Sequence, residues 1–158
     1  MPTDNKATPL ITFKVANGGQ GNLLRDLLIE SKSYWGYSTE QLEYWRSIVK
    51  FDAAYIQENK VVLICSTSKV VGFFAIKRGD TDKLDHLWLL PEAIGKGIGN
   101  IAFDEILKQC TRLGILTFLI TSDPDAEGFY LRKGAIQESH IWSDAQKRML
   151  PQLRFSLS

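Results

Sequence analysis

The chemistry-bearing stretch of this chain is Gly95-Lys96-Gly97-Ile98-Gly99, three glycines at alternate positions around one lysine. Upstream, Leu87, Trp88, Leu89 and Leu90 form an apolar run that reads as a strand buried on both faces, ended by Pro91. Downstream, Ile98, Ile101, Ala102, Ile106, Cys110 and Leu113 recur at steps of three and four, one face of a helix. A strand therefore leads through a glycine turn into a helix N-terminus. Glycines let backbone approach a ligand closely. The first N–H groups of a helix have no partner inside it, and the helix dipole adds positive charge there. That combination is an anion site, for which pyrophosphate is the fitting guest, and Lys96 adds a full charge.

Spacing sorts the phosphate loops that share this frame. A P-loop requires a hydroxyl after its lysine, and Gly97 follows Lys96. A dinucleotide fingerprint matches on paper through Gly97, Gly99 and Ala102, with Asp123 about 20 residues on. Pro91–Ile94 separates its first glycine from the strand, and too little chain follows to complete a doubly wound sheet. The segment resembles motif A of the GNAT N-acetyltransferases, [RQ]-x-x-G-x-[GA] after a strand ending in proline. Gly97-Ile98-Gly99 supplies its G-x-G, and Ile94 stands where the family commonly carries Arg or Gln.

A second segment carries the same resemblance. Asp123-Pro124-Asp125-Ala126-Glu127-Gly128-Phe129-Tyr130-Leu131-Arg132-Lys133-Gly134-Ala135 is similar to the family's N/D-x-x-A-x-x-F-Y-x-x-x-G-F, with Ala135 in the last place. The resemblance implies that two strands splay near Asp123, that the pantetheine arm of acetyl-CoA enters between them, and that Tyr130 protonates the departing thiolate. A phenol beside a thiolate is a reasonable general acid. Read by itself, the Phe129–Tyr130 pair is equally a pair of core aromatics on a helix face.

The resemblance further implies a cofactor site made of Gly95, Lys96, Gly97, Ile98, Gly99, Asn100, Asp123 and Tyr130. In it the backbone groups of Leu89 and Leu90 pair with the pantetheine like an added strand. Asp85 and His86 lie where the family often has the base that takes a proton from the acceptor amine. Neighbouring strand residues face opposite ways, so at most one of them can face the amine. A surface charge, a hydrogen-bonded core histidine and a water relay remain alternatives for these two positions. Trp35 and Tyr37 fall where the family builds the wall over the acetyl group, and they read equally as a plug between helices and sheet. Trp45 and Trp142 read as core.

The elements that must position these groups follow from the pattern. Leu10–Val15 alternates as a strand, and Leu23–Ser31 is helical with Asn22 as N-cap. Ser38 or Thr39 caps a second helix to about Val49, with Gln41 completing a capping-box pattern. Strands follow at Ala53–Gln57, Val61–Ser66, Val70–Lys77 and Leu84–Leu90, joined by short turns. After the central helix and its Gly114 C-cap come a strand at Ile115–Thr121, a short helix at Asp125–Lys133 and two closing strands, Gly134–Ser143 and Gln152–Leu157. The expected fold is α/β (α+β): a mixed, mostly antiparallel sheet with helices on both faces, as in GNAT proteins, and a right-handed parallel β-α-β unit around the central helix.

Composition narrows the class. A chain of 158 residues reads as one domain, 1–158, with 1–9 frayed, and can bury roughly 70% of its unfolded surface. With 44% hydrophobic and 23% charged residues it is ordinary globular, and a net charge of +1 carries no signal for nucleic acid or anionic membranes. No apolar run approaches 18 residues, and the N-terminal stretch has no signal-peptide core. Cys65 and Cys110 sit in apolar segments without metal spacing, which points to buried reduced thiols and a cytoplasmic setting. His86 and His140 are isolated, so no metal is expected. The expected protein is an acetyl-CoA-dependent N-acetyltransferase that transfers directly to a primary amine of a small molecule or peptide. A homodimer stays open. The rivals are a non-catalytic CoA-binding sensor and a dinucleotide-binding domain.

Overall fold

A computed structural model describes residues 10–157. The expectation for 1–9 lies outside the described residues. The order is β1 (Ile11–Val15), α1 (Gly21–Ser33), α2 (Thr39–Ile48), α3 (Ala53–Glu58), β2 (Lys60–Ser66), β3 (Lys69–Lys77), β4 (Lys83–Leu89), a single 3₁₀ turn (Pro91–Ala93), α4 (Ile98–Leu113), β5 (Thr117–Thr121), α5 (Pro124–Arg132), β6 (Ile136–Ser143) and β7 (Arg148–Ser156). The strands form one sheet, β1-β2-β3-β4-β5-β7-β6. Every pairing is antiparallel except β4 with β5. The mixed sheet expected from the sequence is present. Among the described residues there is no doubly wound parallel sheet of the kind a dinucleotide-binding domain has.

Central strands are apolar at successive positions because both their faces are covered. Val62, Ile64, Phe74 and Ile76 pack with Ala102, Phe103 and Ile106 of α4. Val61, Leu63, Phe73 and Ala75 pack on the other face with Leu24, Leu27 and Leu28 of α1, Trp45 of α2 and Ile56 of α3. Ser38 caps α2, its Oγ accepting from the Gln41 amide at 3.1 Å.

Three local expectations are corrected. Ala53–Gln57 is a helix, not a strand. The Asp52 carboxylate accepts from the Tyr55 amide at 2.8 Å and caps a helix that buries only Ile56. The sheet has seven strands in consequence. Asn22 lies inside α1 rather than at its cap. The cap position is Gln20, whose side chain accepts from the Asn17 amide instead. Trp142 is 53% exposed on edge strand β6, whereas Trp45 is core, as expected. Both cysteines are free; Cys110 is buried and Cys65 half-buried. No helix among the described residues is long and apolar enough to cross a membrane.

Candidate active site

The parallel pairing of β4 with β5 covers only Lys83 with Leu119 and Leu84 with Ile120. Beyond these two positions the strands part. β4 continues to Leu89 along β3 alone, and β5 bonds to β7 on its far edge. The gap is one end of a cleft of about 620 Å³. Leu87, Trp88 and Leu89 form one bank. Asp123, Asp125, Ala126, Phe129 and Tyr130 form the other, and the α4 turn forms the end wall.

That end wall is backbone. Gly97 has φ +76°, a left-handed conformation that a side chain would strain, and it starts α4 with no side-chain cap. The first amides of α4 are therefore left without a side-chain partner, at a wall that includes Gly95, Gly97, Gly99 and Asn100. A Cβ on Gly99 would stand 3.3 Å from Phe129 Cε1 and 3.9 Å from Leu89 Cδ1, closing the space between the banks. Ile98 turns its side chain into the core. Lys96 is exposed and stands outside the wall, while Arg132 at the end of α5 and Lys133 just after it line the cleft. Arg132 and Lys133 were not singled out from the sequence; the spacing of Asp125, Phe129 and Arg132 on one helix face is the signal that could have found that wall.

On the β4 bank, the Leu90 amide donates to Val71 O at 2.8 Å and the Leu90 carbonyl accepts from Ala93. Leu90 therefore has no free backbone group for a ligand, contrary to its assignment from the sequence. Backbone groups alternate along a strand, so Leu87 and Leu89 face the open seam.

Tyr130 is 6% exposed and lines the cleft. Its ring packs on Phe103 and Phe129. Burial, and then the charge of Asp123, push its pKa above the usual tyrosine value, so the phenol stays protonated across the neutral range.

Asp85 and His86 do not line the cleft. A bulge in the β3–β4 ladder, where Ala75 pairs His86 and Ile76 pairs Leu84, leaves Asp85 unpaired. The simple alternation expected for these two residues therefore fails, and their side chains meet, with His86 Nε2 3.8 Å from Asp85 Oδ2. Tyr55 Oη donates to Asp85 Oδ2, and Trp88 Nε1 donates to His86 Nδ1 at 2.9 Å. The imidazole packs against Phe51, Phe73 and Tyr55. Burial holds its pKa below the usual histidine value, although Asp85 pulls the other way.

Trp35 lines the cleft, but Tyr37 stands behind the wall. Its hydroxyl accepts from Arg148 at 2.9 Å and its ring meets Trp45 edge-on. Asp123 is held at both oxygens, by Lys32 Nζ at 3.2 Å and Gln146 Nε2 at 2.6 Å. Lys32, Gln146 and Arg148 were not singled out from the sequence. Each is an ordinary polar residue in its own segment, and only the fold brings them together. Among the described residues no group of three potential metal ligands occurs.

Comparisons with known proteins agree with this geometry. Residues 36–147 match the model of the Acetyltransferase (GNAT) domain. The fold is similar to a GCN5-related N-acetyltransferase from Rhodopseudomonas palustris, with TM-score 0.73, 19% identity, and 96% of this chain and 97% of that one covered. It is similar to the PaiA N-acetyltransferase from Thermoplasma acidophilum, solved in complex with coenzyme A, with TM-score 0.73, 19% identity, and 94% and 99% covered. A GNAT family acetyltransferase from Elizabethkingia anophelis, solved with acetyl-CoA bound, gives TM-score 0.65, 15% identity, and 98% and 100% covered. No curated protein matches the sequence.

Proposed function

The chain belongs to the GNAT acetyltransferases and is an acyltransferase, and from that premise we propose that it moves the acetyl group of acetyl-CoA directly onto a primary amine. The observation that carries this reading is the open seam between β4 and β5, with Tyr130 in its wall. The first amides of α4, with Arg132 and Lys133, hold the pyrophosphate. The seam-facing backbone of Leu87 and Leu89 pairs with the pantetheine amides. Acetyl-CoA supplies the activated acyl group as a thioester.

The acceptor ammonium gives up one proton to solvent and attacks the thioester carbon as the free amine; the C–S bond breaks, the departing thiolate takes its proton from Tyr130, and the second proton lost by the nitrogen returns to the phenol through water. Asp123 is the carboxylate beside Tyr130 and draws the acceptor ammonium in. Asp85 and His86, tied to Tyr55 and Trp88, act behind the wall rather than on the amine. Direct transfer is supported by the thiols. Neither cysteine lines the cleft, and burial pushes Cys110 up to about 11, far from a nucleophile's range. The acceptor is a small-molecule or peptide amine, and the two unpaired thiols favour a cytoplasmic setting. Acetyl-CoA mixed with a broad amine panel, with thiol release as readout, tests the proposal. Release that requires a particular amine is the expected result. Acetyl-CoA binding with no release for any amine would overturn it.

A further inference from the structure

The two banks of the seam are not joined by backbone beyond Leu84 and Ile120. One buried side chain touches both. Lys32, in the last turn of α1, has only 7% of its side chain exposed. Its Nζ lies 4.8 Å from the ring centroid of Trp88 on the β4 bank and 3.2 Å from Asp123 Oδ2 on the β5 bank. Trp45 at 4.4 Å and Tyr37 at 5.3 Å complete an aromatic box around the ammonium. Trp88 and Asp123 both line the cleft, so this contact spans it from behind.

The network closes on itself. Gln146 donates to the second oxygen of Asp123, Arg148 donates to Gln146 Oε1 at 2.8 Å and to Tyr37, and Tyr37 faces Lys32. The loop of side chains runs from α1 to the end of β5, to the β6–β7 turn, to β7, and back to the segment before α2. Burying an ammonium is costly, and burial lowers the Lys32 pKa in spite of Asp123. An apolar side chain would fill a three-ring box at lower cost. What an apolar residue cannot do is hold a carboxylate on the opposite bank.

We propose that Lys32 is a positioning residue that clamps the two banks of the cleft at the width the pantetheine arm requires. The proposal rests on the acetyl-CoA reading above, and it concerns the arm rather than the nucleotide. The test is calorimetry with two ligands: acetyl-CoA, and 3′-phosphoadenosine 5′-diphosphate, which carries the nucleotide and pyrophosphate without the arm. Loss of a buried charged hydrogen bond corresponds to about tenfold or more in affinity. Lys32→Met is expected to weaken acetyl-CoA by that factor and to leave the nucleotide within about twofold. Lys32→Arg, which keeps a cation in the box, is expected to retain most of the affinity. If Lys32→Met does not fold, Asp123→Asn removes the same ion pair with little change of shape and should show the same split between ligands. Equal weakening of both ligands, or no change in either, overturns the clamp while the acetyl-CoA reading stands. A wild-type protein that binds neither ligand overturns both.

Discussion

The two ends of the cleft are built from different materials. The glycine end, Gly95 to Asn100, is one continuous segment that presents the first backbone amides of α4 without a side-chain cap. Behind the opposite end stands a network of side chains from four separated places, Lys32, Tyr37, Asp123 and the Gln146–Arg148 pair, of which Asp123 lines the cleft. A backbone site depends on conformation more than on the identity of the side chains beside it. A side-chain site depends on identity and on the fold that gathers it, so a single substitution can undo it. The difference also separates the ends by role. The first suits an anion, and the second, on the proposal above, sets the spacing of the two banks.

Removing the Tyr130 hydroxyl, between the two ends, should have the largest effect. Tyr130→Phe keeps the ring on Phe103 and Phe129 and loses only the proton donor. The kcat is expected to fall about 10²-fold, the low end for a positioned acid with a thiolate leaving group. Acetyl-CoA affinity should not change. Full activity would leave solvent as the donor. Because the phenol pKa is raised, the wild-type rate should not decline through the ordinary tyrosine pKa of 10.0 from loss of this proton.

A Cβ at the glycine end comes next. Gly99→Ala improves helix propensity by up to about 1 kcal/mol, so the fold should survive, while the new methyl narrows the space between Phe129 and Leu89. Acetyl-CoA affinity is expected to drop about tenfold, roughly 1.4 kcal/mol. Gly97 is the poorer probe, because its φ of +76° makes any side chain strained before a ligand arrives. Unchanged affinity in a folded Gly99→Ala protein would move the cofactor away from the α4 turn.

Outside both ends, substitutions should cost stability and leave chemistry alone. Cys110 is fully buried against the α4 core. Cys110→Ala should lose about 1 kcal/mol in denaturant unfolding and keep its turnover. An acetyl group trapped on either thiol would replace direct transfer by a covalent intermediate.

The smallest effect concerns His86. Its folded-state pKa is depressed by burial below the ordinary 6.5, with Asp85, Lys32 and Asp123 as its charged neighbours. The contribution it makes as a neutral ring is present above pH 6.5, and falling pH removes it as the unfolded chain takes up the proton first. The melting temperature should therefore decline on acidification below about pH 6.5. His86→Gln, which still offers Trp88 Nε1 an acceptor, should decline less. A large loss of kcat in His86→Gln with unchanged cofactor affinity would instead restore His86 as a base.

Local signals in the sequence determined the glycine turn, the strand before it, the helix after it and the Asp123–Tyr130 segment. Each depends on residues a few positions apart, with turn chemistry and periodicity written into consecutive side chains. The same locality misassigned Ala53–Gln57, where one carboxylate cap outweighed β-like composition. It also misassigned Leu90, whose amide was already bonded to Val71 on the neighbouring strand. Only the tertiary structure decided where the sheet opens, because two strands part according to what each pairs with on its other edge. Only it turned Asp85 and His86 to the same side, through a bulge of one residue. And only it brought Lys32 to Asp123 across 91 positions of chain, since a buried charge finds its partner by where the elements pack and not by spacing along the sequence.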